Sequence, residues 1–250
     1  MTTTLTIIPA RLASTRFPNK PLADICGKPM ILHVVDQAVA AQLGPVIVAS
    51  GDPEITQIVR SYGVPVIETA PDLPSGTDRI FTALTQFDPD GQFQRIINLQ
   101  GDLPTCPPAY LQQLNQLLDE DRFDMVTLAC PISNQKEAAS PHVVKAVLSI
   151  APGTYITESI YFTRNIVASS DGHYYHHIGL YGFKRSSLEQ YISLPPSPLE
   201  VYERLEQLRF LENGMRIGVG LVNQAPHGID TKEDLERLRF LLHDDPIITS

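Results

Sequence analysis

Over the first 130 residues, short β-branched runs alternate with stretches of helical periodicity, and this alternation restricts the possible folds more than any other feature. Residues 4–9 (TLTIIP) read as a buried strand and 30–42 as a helix with one apolar face. Strand 46–50 (VIVAS) follows, then helix 54–62, strand 66–68 and helix 77–86. Strand 95–99 (RIINL), helix 108–119 and strand 124–130 (DMVTLAC) complete the series. Repeated strand–helix–strand units predict an α/β architecture, a mostly parallel sheet with helices on both faces. Ligands in such sheets sit outside the carboxyl ends of the strands. The loops near Ala10, Ser50 and Gln100 are therefore where chemistry is expected.

From about residue 131 the pattern changes. Residues 143–150, 155–163 and 177–183 read as strands with no long helices between them, which predicts a smaller mixed subdomain. Ser197-Pro198-Leu199-Glu200 is a capping box with proline at the first helical position. The helix it starts is expected to run to about Asn213, with Gly214 ending it. Residues 217–222 form a further strand, and Thr231-Lys232-Glu233-Asp234 opens a last helix reaching about His243. No linker-like break appears, so residues 1–250 read as one domain in three parts, about 1–130, about 131–225 and 226–250.

Composition excludes several classes. Hydrophobic residues make up 43% of the chain, enough for a sizeable core, and no apolar run approaches the roughly 20 residues that cross a bilayer. Residues 1–11 lack the basic start and long apolar stretch of a signal peptide. Three cysteines (Cys26, Cys106, Cys130), far apart and without a C-x-x-C, argue against a disulfide framework or a cysteine zinc site and fit a cytoplasmic setting. A net charge of -9 argues against a general nucleic-acid binder. It leaves room for a small anionic ligand, because local fields can oppose the global charge.

One local field does oppose it. Segment 9–22 (PARLASTRFPNKPL) directly follows the first strand. Residues 11–28 carry Arg11, Arg16, Lys20 and Lys28 against Asp24 alone, a local +3. Cations beside backbone N–H groups at a strand's carboxyl end make a cradle for a polyphosphate. The spacing R-x-x-S-T-R-x-P-x-K-P-L argues against a merely solvated basic loop, and neither the P-loop nor the dinucleotide glycine fingerprint is present. Gly218 and Gly220 give a lone G-x-G that reads as close packing in a late strand. Gln100-Gly101-Asp102 follows the fourth strand. Its glycine turn points Asp102 into the crevice, where a carboxylate beside a polyphosphate suggests Mg2+. Gly228-Ile229-Asp230 precedes the last helix. Thr231 serves as that helix's cap, so Asp230 is free to join a metal site of the kind nucleotidyl transfer uses. Ser75-Gly76-Thr77-Asp78-Arg79 opens the third helix and suits an anion, a ribose or a plain helix cap. His176 and His177, adjacent in a strand, face opposite ways, so at most one ring faces a site. Glu200, Glu203, Glu206 and Gln207, on one helix, read as a solvated face.

With IIPARLASTRFPNKPL, GKPMILHVV, SGTDRI, NLQGDLP, HHIGLYGF, LPPSPLEVYERLEQLR and GIDTKEDLER in this order, from residue 7 to residue 237, the sequence resembles the 3-deoxy-manno-octulosonate (Kdo) cytidylyltransferases. The first motif marks a wider nucleotidyltransferase superfamily; SGTDR, HHIGLYGF and PSPLE with LEQLR are more specific. The resemblance implies a Rossmann-like fold of the nucleotide-diphospho-sugar transferase type. Its nucleotide-binding half would be about 1–130, its sugar-binding and dimerisation half about 131–225, and its metal loop and helix 226–250. It implies Mg2+-dependent transfer of CMP from CTP to Kdo in the cytoplasm, for lipopolysaccharide synthesis. The sugar's anomeric hydroxyl would attack the α-phosphorus in line and release pyrophosphate.

Carried over residue by residue, the resemblance gives Pro9, Ala10, Arg11, Ser14, Arg16, Lys20, Ser75 and Gly76 to the nucleotide. Lys20, Asp102 and Asp230 would be catalytic, the two carboxylates holding Mg2+. Arg79, Gln100, His177, Tyr181, Glu206 and Gln207 would line the sugar pocket. CTP and Kdo are the expected partners of a homodimer, with no nucleic acid and no membrane insertion. The sequence departs from the family pattern at Gly51, at Leu103 and across 151–175. Transfer to another acidic sugar, such as an 8-amino or sialic acid analogue, and a non-catalytic nucleotide-binding module stay open at this point.

Overall fold

The computed structural model describes residues 3–13, 17–150, 153–167 and 173–244. The chain groups into two compact units, one of residues 1–111 with 226–250 and one of residues 112–225.

The first unit opens with β1 (Thr4–Ala10), a 3-10 turn at Lys20–Leu22, and the short hairpin β2 (Asp24–Ile25) and β3 (Lys28–Pro29). Then come α1 (Met30–Ala40), β4 (Val46–Ser50), α2 (Pro53–Ser61), β5 (Val66–Glu68), α3 (Gly76–Phe87) and β6 (Arg95–Asn98). Within this unit the strands run in the order β5-β4-β1-β6, all parallel. Every residue of β1 and β4 is buried, as expected of parallel strands covered on both faces. Helix α4 (Pro108–Leu117) follows.

The second unit is mixed, as its strand-rich sequence predicts. It contains β7 (Met125–Pro131), α5 (Gln135–Ala139), β8 (Lys145–Leu148), β9 (Ile156–Thr163), β10 (Tyr175–Lys184), α6 (Arg185–Ser193), α7 (Pro198–Glu203), α8 (Leu208–Glu212) and β11 (Ile217–Leu221). β11 is parallel to β7, whereas β10 on β7, β9 on β11 and β8 on β9 are antiparallel. The G-x-G of β11 is a packing device. A Cβ at Gly218 would stand 2.4 Å from the Phe123 ring, and one at Gly220 would stand 2.8 Å from Leu117 Cδ1. The chain returns to the first unit in α9 (Lys232–Asp244).

One expected element differs. The helix expected over 198–213 breaks into α7 and α8, because Arg204 takes a left-handed conformation at φ 56°. The break is stabilised from both sides. Glu200 forms a two-toothed pair with Arg209, at 2.7 and 2.5 Å, and Glu212 accepts from the Leu199 and Glu200 amides at the start of α7. A straight helix rises about 1.5 Å per residue and would hold residues 200 and 212 roughly 18 Å apart. Glu203 accepts from Thr163 Oγ1 and the Arg164 amide, and Glu200 is buried, so the supposed solvated face is in large part an internal polar clasp.

Among the described residues no helix is long and apolar enough to cross a membrane. The three cysteines are free thiols, Cys26 exposed and the other two buried.

Candidate active site

In the first unit, three segments meet at the carboxyl end of β1. The Gln100–Asp102 turn runs so close to β1 that a Cβ at Gly101 would lie 2.9 Å from the Pro9 carbonyl oxygen. Only glycine fits there without a shift. A Cβ at Gly76 would lie 3.7 Å from Gln100 Oε1 and 3.8 Å from Pro9 Cγ, which places the start of α3 beside the same spot. Pro9, Ala10, Gly76, Gln100 and Gly101 are thus neighbours. Ser75 caps α3, its hydroxyl accepting from the Asp78 amide at 3.1 Å and donating to the Asp78 carboxylate at 2.7 Å. Gln100 donates to Asn98 Oδ1 at 2.9 Å.

The carboxylates Asp102 and Asp230 are joined by backbone. The Ile229 amide donates to the Asp102 carbonyl at 3.0 Å, and the His227 amide donates to Thr105 Oγ1 at 3.0 Å. Ile229 sinks into a cluster with Phe17, Ile25, Met30, Leu235 and Leu238, and Arg239 donates to the Asp24 carbonyl. Helix α9 is thereby fixed to the segment after β1. Thr231 does cap it, accepting from the Asp234 amide at 3.2 Å. Into this frame comes Lys20, whose Nζ lies 2.8 Å from Asp102 Oδ2 and 3.4 Å from Asp230 Oδ1. The sequence offers each carboxylate no partner in its own motif; the partner is one lysine 82 and 210 residues away.

The cation cradle is smaller than the sequence count suggests. Lys28 is engaged by the Asp36 carboxylate and by Tyr62 Oη at 2.7 Å, so it does not serve the cradle. Arg11 is exposed at the end of β1, and the Leu12 amide beside it donates to Asp52 Oδ2 at 2.9 Å. Asp52, absent from the sequence-derived site, therefore holds the start of the basic segment after β1; its position after Ser50 at a strand's carboxyl end was the available signal. Ser14 and Arg16 lie outside the described residues. Arg79 is buried, and its guanidinium donates to Thr69 Oγ1 at 2.5 Å and to the Pro71 carbonyl at 3.2 Å. Its guanidinium thus ties down the 69–71 loop. Among the expected sugar residues, Arg79 and Gln100 belong to the first unit, and His177, Tyr181, Glu206 and Gln207 to the second.

In the second unit, His177 is buried on β10 with Nε2 3.0 Å from Thr127 Oγ1, its ring edge-on to Phe162 at 4.7 Å. Gln207 Nε2 lies 3.5 Å from His177 Nδ1, and Tyr181 Oη lies 3.5 Å from Gln207 Oε1. Burial, with a smaller push from His176, holds His177 down to about 3. Burial beside Glu206 pushes Tyr181 upward. Both groups are neutral near pH 7. His176 turns away and meets Glu137 at 2.9 Å. Thr127 was missed; a lone hydroxyl in the apolar run DMVTLAC was its signal.

A family model described as Cytidylyltransferase matches residues 5–217. The 3-deoxy-manno-octulosonate cytidylyltransferase of Paramagnetospirillum magneticum is 48% identical over 240 residues, covering 96% of this chain and 98% of that one. Its Brucella anthropi namesake is 51% identical, covering 96% of each chain. The chain belongs to the 3-deoxy-manno-octulosonate cytidylyltransferase family. A solved CMP-2-keto-3-deoxy-manno-octonic acid synthetase, complexed with CTP, superposes with a TM-score of 0.88 at 34% identity, covering 97% of this chain and 99% of that one. The 4-diphosphocytidyl-2C-methyl-D-erythritol synthase of Anaerococcus prevotii shares the fold at a TM-score of 0.65 and 14% identity.

Proposed function

We propose that this chain transfers CMP from CTP to Kdo, giving CMP-Kdo and pyrophosphate. The observation that carries the reading is the convergence of Asp102 and Asp230 on Lys20, in a chain about half identical to Kdo cytidylyltransferases. The donor set fits Mg2+. Among the described residues no group of three or more His, Cys, Asp or Glu side chains gathers. Two carboxylate oxygen donors, completed by water and phosphate, are a usual Mg2+ arrangement. When bound, Mg2+ supplies charge neutralisation at the phosphates and polarises the attacking hydroxyl.

The chain's own residues do the rest by position and charge. Lys20 offsets the repulsion between Asp102 and Asp230 in the free protein. Once the carboxylates serve a cation, its ammonium is available to a phosphate oxygen. Arg11, exposed beside the Asp52-held amide of Leu12, offers bidentate contacts to the same triphosphate. The anomeric oxygen forms its bond to the α-phosphorus as the bond to pyrophosphate breaks, and the hydroxyl proton leaves to solvent. His177, held neutral at about 3, is too weak a base to take the hydroxyl proton. Its part is to bind and orient the sugar, with Tyr181, Glu206 and Gln207.

The same reading includes a cytoplasmic enzyme that supplies activated Kdo for lipopolysaccharide and works as a homodimer. What supports self-association is the set of exposed apolar side chains in the second unit, among them Tyr155 and Ile160 around β9 and Val201 and Tyr202 on α7. The test is pyrophosphate release from CTP with Mg2+ and Kdo, beside an 8-amino analogue and a sialic acid. Fastest release with Kdo is expected. Preference for another acid would change the substrate, and CTP binding without release would leave a nucleotide-binding module.

A further inference from the structure

Thr127 sits on β7 opposite an irregularity in β10, where the register shifts between Ile178 and Tyr181. Its hydroxyl oxygen is completely buried and has three neighbours. They are His177 Nε2 at 3.0 Å, the Ile178 carbonyl oxygen at 3.0 Å and the Leu180 carbonyl oxygen at 2.8 Å. A hydroxyl carries one proton. If that proton went to His177, the hydroxyl oxygen would face two carbonyl oxygens with nothing between them. The proton therefore goes to a carbonyl, the nearer being that of Leu180, and the hydroxyl accepts from His177. Nε2 then carries the ring's proton and Nδ1 is bare.

The rest of the row follows in one direction. Bare Nδ1 accepts from the Gln207 amide nitrogen, which turns the Gln207 oxygen toward Tyr181. Tyr181 donates to that oxygen, so the phenol's remaining lone pairs are what it offers to a ligand. The two outer contacts are 3.5 Å long in the free protein, as unliganded sites often are before substrate tightens them. We propose that Thr127 is a positioning residue: its hydroxyl fixes the Nε2–H tautomer of His177 and thereby makes Tyr181 an acceptor toward a hydroxyl of the sugar substrate. The substrate half of this inference rests on the proposed function; the tautomer does not.

The test is 15N NMR of the histidine-labelled full chain at pH 7, with His177 assigned by its loss in His177→Gln. The expected spectrum has Nε2 protonated and Nδ1 bare. Thr127→Val keeps the shape but removes the acceptor. It should shift His177 at least partly to the Nδ1–H form and raise KM for Kdo about tenfold, with KM for CTP unchanged, as loss of one neutral hydrogen bond implies. Thr127→Ser should restore both. An Nδ1–H ring in the wild type overturns the proposal even if the valine variant fails to fold. So does a valine variant with unchanged tautomer and constants. A wild type that shows the Nε2–H ring but no turnover with Kdo instead fails the sugar reading, and with it the substrate half alone.

Discussion

At the scale of single residues, the site is an arrangement of charge around Lys20. Asp102→Asn and Asp230→Asn should each remove most Mg2+-dependent pyrophosphate release, and the double variant should add little, since the two act as one unit. Pure turn and cap residues would tolerate asparagine almost silently. The sequence, showing no partner for either, suggests that asparagine would relieve repulsion and raise stability. Lys20 cancels that expectation, and with side chains 35% and 51% exposed the melts should move by no more than about 1 kcal/mol. Lys20→Ala should cost about 1.5–3 kcal/mol in kcat/KM for CTP, the value of one charge-assisted contact, in a protein that still folds. His177 makes a pH prediction. Its folded pKa of about 3 lies below the ordinary 6.5, so between those values the unfolded chain binds the extra proton. Stability is therefore lost as pH falls through that window, by up to about 1.4 kcal/mol per pH unit from this group. Urea melts from pH 7 to 4.5 should show that slope, and His177→Gln should flatten it.

At the scale of elements, the buried pair of Glu200 and Arg209 clasps the α7–α8 corner, with the Arg209 guanidinium also stacked 4.5 Å over the Tyr191 ring. Arg209→Met strands a buried carboxylate and should cost about 3–5 kcal/mol by chemical denaturation. This corner also marks where sequence reading stops. The parallel strands of the first unit were legible to within a residue or two because such doubly covered strands are unbroken apolar runs such as TLTIIPA and VIVAS, whereas the short β2–β3 hairpin was not. The α7–α8 break was not, because LEVYERLEQLRF keeps helical spacing straight through it while Arg204 turns left-handed. Helix α6 was hidden too, since Leu188 and Tyr191 are the only large apolar residues it buries. The site shows the same division. Its charged groups stood out by type, but which lysine answers which carboxylate depends on tertiary closure. Arg79, assigned to the sugar by resemblance, also ties down the 69–71 loop, a bond that no local pattern announces.

At the scale of the whole molecule, a ligand that binds only the folded state raises the melting point by mass action. CTP with Mg2+ at about a hundredfold excess over Kd should add about 2.7 kcal/mol, or roughly 5–10 °C for a chain of this size, measured by scanning calorimetry. Asp102→Asn should lose most of that shift. The first unit also has an unusual construction, for it takes its strands from the first hundred residues and its last helix from beyond residue 230. Asp230 reaches Lys20 only when Ile229, Leu235 and Leu238 pack on Phe17, Ile25 and Met30. A ribosome adding roughly 5–20 residues per second will have made every other part of the site before it makes those three. The growing chain thus carries a basic segment for which one of the two carboxylate partners, Asp230, is still untranslated, and the frame around Lys20 closes only after residue 238 has been made.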